Sequence, residues 1–266
     1  MLFDKLPVVL LSTMATERDD SINCRIATYI LENLRHIPAW NITELAQRCA
    51  ASPSSVTRFC RDIGLEGFTE LRELMASTQM AYDNISADSA AQSRYGAYME
   101  HMRACQEQVC QSLDSQKITQ LCRDIYRYPK VAVFGLMKAA TAALNLQSDL
   151  LMQGKITKTK IPYQQQYEYL SHVTEDDLIL IFSYTGVYFD YSYRIPDCLK
   201  KARVYVITGN RDLRENAYFD EIVPFCSRQD PSSHPYQMQL VGHIIAQEYA
   251  YMKNQGAFSG FEKTQG

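Results

Sequence analysis

Hydroxyl and guanidinium groups recur at short spacing between residues 54 and 61. Ser54, Ser55 and Thr57 precede Arg58 and Arg61 in the run Ser-Ser-Val-Thr-Arg-Phe-Cys-Arg. Short hydroxyls can bind phosphates or base edges, and an arginine can hold guanine through two parallel hydrogen bonds. On one side of a helix these groups would suit the major groove of double-stranded DNA. An ordinary solvated helix presents a similar surface. The neighbouring elements are therefore needed to distinguish a DNA-binding helix from a plain surface helix.

A first short helix is predicted to start near residue 42. Ile42, Leu45 and Ala46 recur at the spacing of one helix face. Thr43 is the predicted N-cap, because its hydroxyl can accept a hydrogen bond from a first-turn amide. Arg48, near the end of this helix, adds a further basic side chain.

A second helix is predicted after a tight turn at residues 50 and 51. Ser52 is its predicted N-cap, and Pro53 takes the first helical position, where a missing amide proton costs nothing. Gly64 is predicted to end the helix. With further helices near residues 20–33 and 69–77, this order is typical of a helix-turn-helix bundle. The inward stripe of the second helix comprises Val56, Phe59, Cys60 and Ile63.

Net charge gives the DNA-binding hypothesis no general support. The chain has 27 Lys and Arg against 30 Asp and Glu, and residues 1–80 hold 8 basic and 10 acidic side chains. Phosphate neutralisation normally supplies much of the affinity for DNA. We therefore expect binding through a few placed arginines, sensitive to salt and dependent on a homodimer or homotetramer.

The runs SINCRIATYILENL and ITELAQRCAASPSSVTRFCRDIGLEGFTELR resemble the N-terminal domain of the RpiR/MurR family of bacterial transcription regulators. The resemblance spans nearly all of residues 1–78, and residues 56–61 with 64–68 are its most specific part. It implies a double-stranded DNA operator as partner and a C-terminal SIS domain, a sheet that binds sugar phosphates. The predicted DNA contacts are Thr43, Arg48, Ser52, Ser54, Ser55, Thr57, Arg58 and Arg61.

The remainder of the chain predicts an α/β domain at residues 96–266, after a linker at 79–95. Short apolar segments alternate with helical ones, which indicates a parallel sheet with helices on both faces. The overall fold class is thus α + α/β, with a five-stranded SIS-like sheet. The long helix predicted from about residue 96 could support dimerisation or simply pack on the sheet. The predicted strands are 130–135, 158–162, 177–183, 203–208 and 221–226, with helices near 139–153, 190–201 and 235–253.

Two loops follow predicted strands at residues 135–140 and 183–188, where ligands bind in such sheets. They resemble the phosphate-contacting loops of SIS domains, with Met137, Ala139 and Tyr188 as departures from the family pattern. A phosphosugar, an altered ligand and no ligand all remain open as interpretations. The predicted effector contacts are Gly135, Lys138, Ser183, Tyr184, Thr185, Gly186, Tyr188 and His234.

Catalytic chemistry has little support in the sequence. The acid and base candidates form no recognisable constellation, and we predict a regulator of carbohydrate-related metabolism without catalytic residues or cofactor. The alternative is a sugar-phosphate isomerase, or a catalytically dead sugar-phosphate-binding module. The candidates weighed are Glu168, His172, Asp190, His234 and His243.

The cysteines and the apolar segments bear on compartment and on metal binding. Eight cysteines lack the paired spacing of zinc ligands, so no metal site is predicted and the thiols are expected to be reduced. No apolar segment has the length of a membrane span. We therefore expect a cytoplasmic protein without a membrane partner.

Overall fold

The structure, a computed structural model, describes residues 6–78, 90–186, 188, 195–214, 217–226 and 232–258. The chain folds into two compact units, Met1–Ala81 with Ile161–Glu168 and Tyr82–Lys160 with Tyr169–Gly266. Most of the predicted linker, residues 79–89, lies outside the described residues. Among the described helices, none combines the length and hydropathy needed to cross a bilayer.

The N-terminal part of the chain is helical, as predicted. Fully buried side chains such as Ile26, Phe59 and Leu71 form its core. Burial raises the pKa of the Cys60 thiol to about 12, so this thiol stays neutral and packs as a small apolar group. The helices are α1 (Leu6–Thr16), α2 (Ile22–Glu32), α3 (Ile42–Arg48), α4 (Pro53–Asp62) and α5 (Phe68–Ser77), with a 3₁₀ turn at Ile37–Ala39.

The N-cap predicted for α3 is wrong. Asn41, not Thr43, caps the helix: its side chain accepts a hydrogen bond from the Glu44 amide, and the Glu44 carboxylate accepts one from the Asn41 amide. This reciprocal capping box satisfies two amides at once, which a cap at Thr43 could not do. Ser52 caps α4 with Pro53 at its first position, as predicted.

From residue 91 onwards the chain alternates helices with strands. The long helix begins at Ala91, earlier than predicted, and α9 was not predicted at all. Part of the helix predicted near 190–201 lies outside the described residues, and Asp197–Lys201 is a 3₁₀ helix. The elements are α6 (Ala91–Ser112), α7 (Ser115–Arg127), β1 (Lys130–Gly135), α8 (Lys138–Met152), α9 (Tyr163–Leu170), β2 (Asp177–Phe182), β3 (Arg203–Thr208), β4 (Glu221–Pro224) and α10 (His234–Asn254).

Within the part of the chain that the structure describes, the sheet has four parallel strands in the order β1-β2-β3-β4, rather than the predicted five. The segment predicted as a strand at 158–162 makes a single bridge, in which the Lys158 amide donates to the Val131 carbonyl over 2.9 Å. Lysines and a proline dominate this segment, so it has too few apolar side chains and amides to continue a buried strand.

Both faces of the sheet are covered, as the alternation of elements predicted. On one face Val133, Leu180 and Ile207 pack against α7, α8 and α10. On the other face Phe134, Ile181 and Val206 pack with Leu170 and Leu199. A parallel sheet buried on both sides leaves its carboxyl edge as the place where loops can meet a ligand.

Candidate nucleic-acid interface and effector site

Helix α4 buries one stripe and presents the other to solvent. Val56, Phe59 and Cys60 are fully buried, whereas Arg58 and Arg61 are exposed. Neither arginine has an ion-pair partner among the described residues. Two guanidinium groups three residues apart therefore project from one side of a firmly anchored helix, at a spacing suited to a groove.

Hydroxyl groups cluster at the start of α4. Ser52 Oγ accepts a hydrogen bond from the Ser55 amide over 3.1 Å and lies 2.7 Å from Ser54 Oγ and 2.9 Å from Ser55 Oγ. Thr57 Oγ1 donates to the Pro53 carbonyl over 3.1 Å. The positive end of the helix dipole and three short hydroxyls thus share the first turn, which is the end that meets DNA in helix-turn-helix proteins.

The turn between α3 and α4 rests on a strained alanine. Ala50 has φ of 50°, in the left-handed region. The Ala51 amide donates to the Ala46 carbonyl over 2.8 Å, and the Ala50 amide donates to the Gln47 carbonyl over 3.1 Å. These two bonds make a Schellman motif, which normally has glycine at its left-handed position. These hydrogen bonds fix the relative orientation of α3 and α4 on either side of the turn.

The end of α4 uses the same motif with glycine in place. Gly64 has φ of 90° and its amide donates to the Arg61 carbonyl over 2.9 Å. The Leu65 amide donates to the Cys60 carbonyl over 2.7 Å. The helix stop predicted at Gly64 is confirmed.

Arg48 is held by an aromatic ring. Its guanidinium carbon lies 4.4 Å from the centroid of the Trp40 ring, and the His36 ring stacks with Trp40 at a centroid distance of 6.1 Å. Tyr29 lies against the same ring at 5.8 Å. Trp40 thus anchors the segment before α3, and it also positions a basic side chain. Thr43 is exposed on the first turn of α3.

At the carboxyl edge of the sheet, the loop after β1 has two positions whose backbone favours glycine. A Cβ atom at Gly135 would lie 2.7 Å from the Ala139 carbonyl oxygen, so only glycine fits there. Met137 has φ of 55° and ψ of −122°, a conformation that glycine normally supplies. Lys138 is exposed at the start of α8.

The loop after β2 offers few hydroxyls to the surface. Ser183 is buried, and its Oγ accepts a hydrogen bond from the Tyr188 amide over 3.2 Å. Thr185 is exposed, and Gly186 has φ of 83°. The ring of Tyr188 packs in the core on the face that contains Phe134. Burial of this ring among apolar side chains is favourable, and the contact of Tyr188 with an effector stays a prediction.

Tyr184 and His234 come together although they are far apart in sequence. Their rings stack with centroids 3.5 Å apart and planes inclined by 22°. Tyr184 also meets Phe225 edge-on at 5.7 Å and is 7% exposed. His234 begins α10, so this stack joins the loop after β2 to that helix.

The loop after β3 also lies at this edge of the sheet, although its residues were not predicted to belong to the site. The Gly209 amide donates to the Tyr184 carbonyl over 3.0 Å, and the side-chain amide of Asn210 donates to the Thr185 carbonyl over 3.0 Å. Thr208 Oγ1 donates to the Tyr184 carbonyl over 3.1 Å. The run Thr-Gly-Asn directly after a predicted strand was the available signal, since polar and flexible residues there face the ligand edge.

The first comparison with known proteins concerns the N-terminal helices. Residues 14–81 match the family model described as "Helix-turn-helix domain, rpiR family". The match contains α2 to α5, with the capped helix α4 and its two exposed arginines. This chain carries an rpiR-family helix-turn-helix domain.

Curated relatives extend the comparison beyond the rpiR-family domain. The regulator HexR from Pseudomonas aeruginosa is 24% identical over 167 residues, which cover 61% of this chain and 59% of HexR. An uncharacterised regulator from Providencia stuartii, encoded in the aarA 3′ region, is 23% identical over 168 residues, covering 61% and 60%. The chain thus spans about 60% of the length of these relatives, both of which are HTH-type transcriptional regulators.

Solved structures match the sheet that follows the rpiR-family domain. A Listeria monocytogenes protein assigned as a sugar-phosphate isomerase has a TM-score of 0.54 at 15% identity, covering 67% of this chain and all of the other. The protein c3406 of E. coli CFT073, in complex with arabinose 5-phosphate, has a TM-score of 0.52 at 17% identity, covering 59% and 88%. The likeness establishes the SIS-like fold predicted for this part of the chain.

Proposed function

We propose that this chain is a transcription regulator that binds operator DNA through its rpiR-family domain and a phosphorylated sugar or related metabolite through its SIS-like domain. The observation that carries the proposal is the display of Arg58 and Arg61 on a capped, well-packed helix. HTH-type regulators among the relatives support the same function. Such a protein acts where the chromosome lies, in the cytoplasm.

The proposed DNA contacts divide between the two helices of the motif. Arg58 and Arg61 reach base edges in the major groove, where each can hold a guanine. Ser54, Ser55 and Thr57, with the cap Ser52, contact the neighbouring phosphates from the first turn of α4. From α3, Thr43 and Arg48 contact the sugar-phosphate backbone and set the orientation of the motif.

A mobility-shift titration with DNA from upstream of the protein's own gene tests this assignment. Arg58→Ala and Arg61→Ala should each weaken binding by about 1–3 kcal/mol, or roughly 5- to 150-fold, if each holds a base. Arg123→Ala provides the control, because it removes the same charge from an exposed site on α7. Equal binding by wild type and both α4 variants would refute the proposed interface.

The effector site lies where the loops after β1, β2 and β3 meet the start of α10. Gly135 and the glycine-like backbone at Met137 keep room for a phosphate near the first turn of α8, and Lys138 supplies a positive charge. In the loop after β2, Thr185 and Gly186 face the phosphate. Ser183, Tyr184 and His234 lie on the protein side of these two residues. The structural neighbour in complex with arabinose 5-phosphate supports a phosphosugar as ligand class.

Thermal unfolding in the presence of arabinose 5-phosphate, glucose 6-phosphate and the matching unphosphorylated sugars tests the effector proposal. A phosphosugar should raise the unfolding temperature, and its unphosphorylated form should not. Lys138→Ala should reduce the shift. No response to any phosphosugar in a broad panel would reject this ligand class.

We propose that the domain senses its ligand without converting it. Among the candidate acids and bases, His243 lies on the exposed side of α10 beside Asp149, and Glu168 is exposed on α9. Asp190 lies outside the described residues. His234 is stacked on Tyr184, which restricts the movement that a proton-transfer role would need. Turnover of an aldose or ketose phosphate by the purified protein would contradict this assignment.

Regulation would follow from pairing two copies. Recognition helices in a dimer must meet half-sites about one helical turn of DNA apart. A ligand that prefers one arrangement of the paired SIS-like domains would therefore change operator affinity. Operator titrations with and without arabinose 5-phosphate measure the size and direction of this coupling.

A further inference from the structure

The loop after β3 carries two arginines at the carboxyl edge of the sheet. Arg211 and Arg214 follow Thr208, the last residue of the strand, and both side chains are exposed. Neither arginine takes part in an ion pair within the described residues, although Asp212 lies between them. A guanidinium group without a carboxylate partner keeps its N–H donors for a ligand. Exposed arginines are common on loops, so their position relative to the proposed effector site decides whether they can reach a ligand.

Arg211 lies in a turn that is fixed against the loop after β2. The side-chain amide of Asn210 donates to the Thr185 carbonyl over 3.0 Å, and the Asn210 backbone amide donates to Thr208 Oγ1 over 3.1 Å. Asn210 Oδ1 accepts a hydrogen bond from the Asp212 amide over 2.9 Å. The residues on both sides of Arg211 are therefore hydrogen-bonded in place, next to the loop that holds Thr185.

Arg214 follows a leucine that packs on the same loop. A Cβ atom at Gly186 would lie 2.8 Å from Leu213 Cδ1, so the leucine side chain rests directly on the glycine backbone. Leu213 is half-buried and packs against the apolar cluster that contains Phe134. The two arginines are thus positioned beside Gly186, which belongs to the proposed effector site.

The loops of this edge carry an excess of positive charge. Residues 136–138, 183–186 and 209–214 contain three basic side chains and one acidic side chain, although the whole chain has a net charge of −3. The three basic residues are Lys138, Arg211 and Arg214. A local excess of one sign at the rim of a site attracts ligands of the opposite sign.

The strand order sets the distance between these charges. Lys138 follows β1, whereas Arg211 and Arg214 follow β3, and β2 lies between the two strands. Two strand spacings separate the loops by about 10 Å. A sugar of five or six carbons with an anionic group at each end has a similar length, because its chain contains about seven to nine zigzag bonds of roughly 1.5 Å.

We propose that Arg211 and Arg214 form a second anion subsite, and that the effector is a sugar with two anionic groups, one at each end of its carbon chain. The first anion is the phosphate beside Lys138, and the second lies at the two arginines. Thr185, on the loop between them, meets hydroxyl groups in the middle of the sugar. The proposal rests on the proposed function, because it specifies further the phosphosugar named there.

The second anion is a phosphate or a carboxylate. An arginine can hold either group through two parallel N–H···O bonds, which are shorter and stronger than hydrogen bonds between neutral groups. Both anions offer the paired oxygen atoms that this fork-shaped contact requires. The ligands in the test are therefore chosen to distinguish them.

Calorimetric titration of the full chain with two matched pairs of sugars tests the proposal. Fructose 1,6-bisphosphate adds a phosphate to fructose 6-phosphate, and 6-phosphogluconate has a carboxylate that glucose 6-phosphate lacks. In at least one pair, the doubly anionic sugar should bind about tenfold or more tightly than its singly anionic partner, as expected for hydrogen bonds between charged groups. The pair that shows the gain identifies the second anion. Equal affinities within both pairs would overturn the proposal.

Substitution of the arginines assigns the gain to this subsite. Arg211→Gln combined with Arg214→Gln should lower the affinity for the doubly anionic sugar to that of its partner, and should leave the partner's affinity within about twofold. Lys138→Gln should weaken both members of the pair. Arg123→Gln is the control, because it removes the same charge from an exposed site on α7. An equal loss in Arg123→Gln would mean that total charge, not the subsite, is responsible, and would overturn the proposal.

Two further measurements separate structural effects and the proposed function from this inference. Both arginines are exposed, so thermal unfolding of the double variant without ligand should match that of wild type. Replacing both arginines by lysine keeps the charge but not the fork, and should restore only part of the gain. Binding of arabinose 5-phosphate without a gain from a second anion would leave the proposed function intact and overturn this inference. Absence of binding by every phosphosugar would reject both.

Discussion

The ring of His234 lies on the ring of Tyr184, with 3.5 Å between their centroids, at the carboxyl edge of the sheet. Gly209 leaves room for the Tyr184 ring, since a Cβ atom at this position would come within 2.8 Å of the ring. The loops after β2 and β3 and the start of α10 are therefore coupled through the ring of Tyr184. A substitution that displaces the Tyr184 ring should therefore also shift His234 and any ligand bound next to it.

Gly209→Ala should displace the Tyr184 ring and destabilise the protein by about 1–3 kcal/mol, the usual cost of overpacking. Gly96→Ala is the matched control, because a Cβ atom there meets nothing within 4 Å and the residue lies inside α6. It should stabilise the protein by about 0.5–1 kcal/mol, since glycine is unfavourable in a helix. Chemical denaturation measures both. Equal stability of the two variants would contradict the proposed contact between Gly209 and the ring.

Ala50→Gly should stabilise the rpiR-family domain by about 0.5–1 kcal/mol. An L-residue in the left-handed region costs about 1–2 kcal/mol, and glycine recovers more of this than it loses in the unfolded chain. Ala51→Gly is the control: Ala51 does not have positive φ, so this change should be destabilising. Thermal unfolding distinguishes the two, and a destabilised Ala50→Gly variant would show that the turn carries no strain.

Local sequence signals predicted the helix-turn-helix motif well. Ser52 and Pro53 mark the start of α4, Gly64 marks its end, and the inward stripe between them is confirmed. All of these signals act within a few residues of the feature they specify. The cap of α3 could also have been predicted, because Asn41 followed by Glu44 is the pattern of a capping box.

Features that depend on distant residues could not be predicted in the same way. Helix α9 begins Tyr-Gln-Gln-Gln, and its fully buried Gln166 donates to the Ile161 carbonyl over 3.2 Å. Tyr188 lies in the loop after β2, which resembles a phosphate site. Its ring packs with Phe134 on one face of the sheet, whereas Tyr184 packs on the other face. The stack of Tyr184 on His234 joins residues 50 positions apart in the sequence. Such contacts are set by tertiary packing rather than by local pattern.

Trp40→Leu should weaken operator binding through Arg48. The Trp40 ring holds the guanidinium at 4.4 Å, and such a contact contributes about 0.5–1 kcal/mol at an exposed site, or roughly 2- to 5-fold in affinity. In an Arg48→Ala background the same change should have little further effect, since the side chain it positions is gone. Mobility-shift titration of the four proteins completes the cycle. Additive losses would mean that Trp40 acts on DNA or on folding independently of Arg48.

Alkaline pH should destabilise the C-terminal unit through Tyr169. Its hydroxyl donates to the Asp177 carboxylate over 3.2 Å, and burial together with this carboxylate raises the pKa of Tyr169 to about 12 from a usual value of 10. A pKa that is higher in the folded state favours the protonated form there, so its contribution to stability is complete below pH 10 and is lost as the pH rises towards 12. Tyr169→Phe should be less stable at neutral pH and should lose less stability between pH 10 and 12 than wild type. Urea denaturation across this range measures the difference, with Tyr95→Phe as the exposed control. A Tyr169→Phe profile parallel to that of wild type would show that the hydrogen bond to Asp177 does not contribute to the alkaline transition.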